Sequence, residues 1–143
     1  MSQRYFTPQE ANAMVPRLEA ALTLMLRLRL ELRAVADRLA ALGEPLTDES
    51  IDREGGSPDV ARARGQARAL METLSEEQRA LDLMGVEIKD PETGLCDFVA
   101  LREGREVYLC WRLGEKRVEF WHEMHSGFAG RKPLDASFQR VLH

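Results

Sequence analysis

The chain has 143 residues, of which 44% are hydrophobic and 31% charged, and its formal net charge is -4. That length suits one domain with its own core, and the acidic balance excludes a nucleic-acid protein held by bulk electrostatics. No apolar run is long enough to span a bilayer.

The opening Met1-Ser2-Gln3-Arg4-Tyr5-Phe6 lacks the pattern of a secretory signal, so the chain is read as cytoplasmic. Two cysteines are too few for a disulfide framework. The pattern predicts an α+β fold in a single domain spanning residues 1–143. A long antiparallel helical hairpin, coiled-coil-like, packs on a C-terminal four-stranded antiparallel β-meander.

Thr7-Pro8-Gln9-Glu10 opens the first helix, with a cap, a proline at the first helical position and a returning Glu. The helix is predicted over 7–42, kinked near Pro16 and stopped by Gly43. Leu18, Met25, Leu32 and Leu39 repeat every seven residues beside Ala21, Leu28, Val35 and Leu42, which is a heptad seam. Leu22, Leu24, Leu26 and Leu30 lie off that seam. This girth asks for a second neighbour and predicts a homodimer through the hairpin.

Residues 43–57 are polar and aperiodic, and read as a loop. Ser57-Pro58-Asp59 then starts a second helix over 58–84, with Ala67, Leu74 and Leu81 in its seam and Gly85 at its end.

From residue 86 to 123 the period falls to two, the mark of half-buried strands. Glu103-Gly104 reads as a two-residue hairpin turn, setting Ala100 against Val107, Phe98 against Leu109 and Asp97 against Cys110. A turn at Glu115-Lys116 would set Trp111 against Phe120, Cys110 against Trp121 and Arg112 against Glu119. The first strand would pair Ile88 with Phe98 and Lys89 with Asp97. One face then holds the large apolar groups, with Cys96. The other carries Lys89, Asp97, Cys110 and Trp121 in one row and Glu87, Val99, Tyr108 and Glu123 in the next. Aromatic rings among charges often mark binding. Residues 124–143 read as a loop and a short helix capped by Asp135, anchored by Phe138 and Val141.

The runs GLCDFVALREGREVYLCWRLGE and VEFWHEMHSGFAGRKPL, with the opening FTPQEANAMVPRLEAAL, resemble a bacterial family known as domain-of-unknown-function family 2203. The likeness covers nearly the whole chain. It implies a small soluble bacterial protein and no particular reaction. The positions it carries over are Asp97, Cys110, Trp111, Gly114, Glu115, Trp121, His122, Gly127, Phe128, Gly130 and Arg131.

Two functional readings follow. The first is a non-catalytic dimeric module that binds a protein or small anion on the sheet and the GFAGR loop. Its candidate ligand-binding residues are Asp97, Tyr108, Cys110, Arg112, Glu119, Trp121, Arg131 and Lys132, where Arg131-Lys132 behind two glycines suits an anion. The alternative is a small metal-dependent enzyme or metal-binding protein using His122, Glu123, His125, Asp97 and Cys110. A divalent metal belongs to that reading alone. It is the weaker of the two, because His122 points to the core face in this register, away from Asp97 and Cys110. Cys110 as a nucleophile is disfavoured, since an adjacent carboxylate raises a thiol's pKa.

Overall fold

The computed structural model describes residues 3–138. Helix α1 covers Pro8–Ala41 and helix α2 Pro58–Leu83. Five strands follow: β1 (Val86–Asp90), β2 (Leu95–Arg102), β3 (Arg105–Arg112), β4 (Phe120–Glu123) and β5 (Lys132–Pro133). They form one antiparallel sheet in sequential order, so the α+β meander has one strand more than predicted.

The helix ends follow their signals. Glu10 N–H donates to Thr7 Oγ1 at 3.1 Å and Thr7 N–H to the Glu10 carboxylate at 2.9 Å, which is a reciprocal capping box. At the other end Gly43 takes φ 78, and Glu44 N–H reaches back to the Leu39 carbonyl while Gly43 N–H reaches that of Ala40. Pro16 lies inside α1 without ending it.

The chain divides into two compact units, Met1–Leu22 with Ala80–His143, and Thr23–Arg79. The second is the helical hairpin. Its core joins Leu28, Val35 and Leu39 of α1 to Val60, Ala63, Ala67 and Leu70 of α2, with Leu46 and Ile51 packed against it. The polar connection is tied down. Thr47 and Ser50 bond each other's backbone N–H, and Arg64, 3% exposed, donates to the Arg53 and Gly55 carbonyls. Leu30 and Leu42 stay exposed.

The first unit holds the sheet. Ala11, Val15, Leu18 and Leu22 from the start of α1 are buried there, as are Val86, Phe98, Ala100, Val107, Leu109 and Trp111 from one sheet face. Phe6 N–H bonds the Val99 carbonyl and its ring packs edge-on to Phe98.

The β2–β3 hairpin has the predicted register, pairing Asp97 with Cys110, Phe98 with Leu109 and Ala100 with Val107. Its turn residues Glu103 and Gly104 both have positive φ, the geometry that matches strand twist.

The other two registers need correction. β1 is displaced by two residues, pairing Val86 with Phe98 and Glu87 with Asp97, and a bulge leaves Lys89 unpaired. Face assignments survive a shift of two. β4 is displaced by one, pairing Tyr108 with His122, Leu109 with Trp121 and Cys110 with Phe120. A shift of one turns every β4 side chain over. Trp121 therefore joins the Leu109 face, and His122 joins Asp97 and Cys110.

The cause lies in residues 113–119, which form an irregular loop in place of a turn at Glu115-Lys116. Glu115 folds inward, its carboxylate accepting from Arg112 N–H at 2.7 Å and its carbonyl from Trp111 Nε1 at 3.0 Å. Val118 N–H is held by Asn12 Oδ1 at 2.7 Å.

In the tail, Asp135 Oδ1 caps Ser137 N–H and Phe138 is buried against Trp121. The predicted anchor Val141 lies outside the described residues.

Candidate metal centre

The displaced register assembles a cluster that the predicted register keeps apart. β2, β3 and β4 each contribute one side chain to the same sheet face: Asp97, Cys110 and His122. All three are buried, and their donor atoms lie within 4.8 Å of one another. His122 Nε2 stands 3.1 Å from Asp97 Oδ2.

His122 Nδ1 lies 2.8 Å from the Glu123 carbonyl oxygen. A carbonyl only accepts, so Nδ1 carries a hydrogen, and Nε2 is the ring nitrogen turned toward Asp97. At that distance Nε2 and Oδ2 share a proton in the metal-free chain, a place that a cation can take instead. Asp97 Oδ1 is buried with no hydrogen-bond partner.

Burial raises the Asp97 carboxyl above its ordinary pKa, against the pull of His122, Cys110 and Lys89. Burial also pushes the Cys110 thiol up to about 12, with Asp97 adding to the effect and Arg131 opposing it. At neutral pH without a metal Cys110 is a thiol, which removes it as a nucleophile. A bound cation reverses this logic, since thiolate and carboxylate are the forms it coordinates. A thiolate, an imidazole and a carboxylate together form a zinc-type donor set. Cys96 faces away from the cluster, and both cysteines are free.

A polar rim borders the cluster. Glu87, the sheet partner of Asp97, accepts from Lys89 Nζ at 2.8 Å and from the Tyr108 hydroxyl at 3.0 Å. Tyr108 pairs with His122, and their rings lie 5.3 Å apart.

On the other side the GFAGR segment folds over the same face. Gly127 turns with φ 72 into a short 3₁₀ turn, Phe128–Gly130. Arg131 then lies 4.0 Å from the Phe120 ring centroid and 4.5 Å from that of Phe128. Its Nη2 donates to Glu115 at 2.7 Å.

The remaining candidate residues are dispersed. Trp121 is on the opposite face under Arg102 and Lys132. Arg112 is exposed, 5.5 Å from the Phe128 ring, and does not pair with Glu119, which is exposed as well. Glu123 pairs with Arg105, and His125 sits exposed on a turn. A cavity of about 780 Å³ lies elsewhere in this unit, lined by Tyr5, Phe6, Leu101 and Phe138, and brings no cluster of metal donors together.

Sequence reasoning set His122 apart from its two companions. The available signal was turn chemistry: Glu115-Lys116 has no residue suited to the positive φ of a two-residue hairpin. A longer loop, and with it the other parity for β4, follows from that.

A family model described as "Uncharacterized conserved protein (DUF2203)" matches residues 4–134. No curated protein and no solved structure matches the chain.

Proposed function

The chain belongs to the DUF2203 family, whose description names no reaction, and from the geometry we propose that it is a metal-binding protein with one zinc-class divalent ion held by Asp97, Cys110 and His122. One observation carries the reading. The His122 ring is fixed by its Nδ1–H on the Glu123 carbonyl, and so presents Nε2 to a buried carboxylate with a thiol alongside. That is how metal-ligating histidines are usually oriented, the second nitrogen donating to a carbonyl or carboxylate. A set drawn from three neighbouring strands also makes the ion a staple across the sheet.

Elemental analysis of the purified chain tests this. One zinc, iron or related ion per chain is expected, and it should be lost in Cys110→Ser and His122→Ala. A metal-free protein that also fails to take up added zinc or cobalt ends the proposal.

The homodimer stands as a second proposal, supported by Leu30 at 64% exposure in the hairpin unit. A wild-type monomer in sedimentation rejects it. Against a small-anion site stands the engagement of Arg131 by Glu115.

A further inference from the structure

We propose that Glu87 is the fourth ligand of this centre, its carboxylate exchanging Lys89 for the incoming ion. The inference rests on the three-residue site and extends it.

Tetrahedral zinc takes four donors, and the buried cluster supplies three. In a closed structural site the fourth donor is a side chain rather than water, and on the same sheet face the nearby carboxylates are Glu87 and Glu115. Glu115 is committed, since Arg112 N–H and Arg131 Nη2 both bind its carboxylate at 2.7 Å. Glu87 is the direct cross-strand partner of Asp97, so the two side chains rise from neighbouring backbone on one face. Its side chain is 40% exposed, placing it where an ion arriving from solvent meets the cluster.

The group that now holds Glu87 is itself a cation. Lys89 Nζ sits 2.8 Å from the Glu87 carboxylate and 3.3 Å from the Tyr108 hydroxyl. An ammonium thus stands beside the carboxylates where an ion's charge is wanted. Lys89 lies in the β1 bulge, outside the ladder, so its displacement breaks no strand pairing. The orphaned Asp97 Oδ1 is an independent sign that the cluster is short of a partner.

Charge balances in the exchange. Asp97 and the Cys110 thiolate neutralise a divalent ion, with the thiol proton and the proton between His122 Nε2 and Asp97 passing to solvent. Glu87 then adds one negative charge, and the released Lys89 ammonium stays beside it, still able to reach Tyr108 and water.

The test is zinc and cobalt titration of the full chain after chelation, for wild type, Glu87→Gln, Lys89→Met and Asp97→Asn. Wild type should bind one ion and Asp97→Asn essentially none. Glu87→Gln should bind roughly 10–100-fold more weakly, the scale seen when a supporting group of a metal site is lost. Its cobalt absorption should also weaken, as water replaces the fourth protein ligand and coordination rises above four. Lys89→Met should bind at least as tightly as wild type, because the competing ammonium is gone. If wild type binds but Glu87→Gln matches it in affinity and cobalt spectrum, Glu87 is not a ligand and the three-residue centre survives. If wild type binds neither ion, the centre fails and this inference with it.

Discussion

Asp97 separates folding from metal binding at a single carboxyl. Its pKa is raised by burial, so its folded-state value lies above its unfolded one, near 4. The stability this group contributes to the metal-free chain is therefore full below the unfolded value and lost as pH climbs through the folded value. Asp97→Asn keeps the shape and removes the ionisation, and its amide can still hydrogen-bond His122 Nε2. The metal-free variant should melt higher than metal-free wild type at neutral pH and show a flatter pH dependence, while failing to bind zinc. Thermal melts of both chains after chelation measure this, and a lower melting temperature for the variant would contradict it. Cys110 gives the complementary pH effect. Its thiol lies near 12, so an ion must displace a proton to gain the thiolate. Zinc affinity measured by chelator competition should rise by about tenfold for each pH unit around neutrality, for each proton released.

At the scale of elements, the turns decide which side chains meet. Gly94 follows the β1–β2 bulge with φ 73, and a Cβ there would come within 2.5 Å of Leu113 Cβ. Gly94→Ala combines a left-handed backbone with a hard contact, and should cost roughly 2–4 kcal/mol in denaturant unfolding. Glu115 sets the β4 register through backbone bonds and Arg131. Glu115→Ala leaves Arg131, with only 11% of its side chain exposed, without that partner. It should cost roughly 2–3 kcal/mol and weaken metal binding by loosening His122.

These same elements show how much was legible in the sequence. Both helices and their caps could be read because the signals are local, as in Thr7-Pro8-Gln9-Glu10. The Asp97–Cys110 pair could be read because a Gly-containing two-residue turn fixes register by itself. The position of His122 could not, because it depends on Asn12 holding Val118 across 106 residues and on Glu115 turning inward. Neither contact leaves a periodic trace, and one residue of slip was enough to hide the centre.

At the scale of the whole molecule, only one of the two units holds the centre. Asp97, Cys110, His122 and Glu87 all lie in the unit formed by Met1–Leu22 and Ala80–His143, while the hairpin unit Thr23–Arg79 has a separate core. An ion that binds the folded chain and not the unfolded one stabilises it by mass action, about 2.7 kcal/mol at roughly 100 times Kd. For a chain of this size that corresponds to a rise of roughly 5–10 °C in Tm. The ligands come from β2, β3 and β4, so opening any of these strands releases the ion. Hydrogen exchange should therefore slow in β2 to β4 on adding zinc, and change little between Thr23 and Arg79 in positions that open without the sheet. Cys110→Ser should abolish the difference. Equal protection of both units would mean that the chain opens only as a whole, and protection confined to the hairpin would place the ion elsewhere.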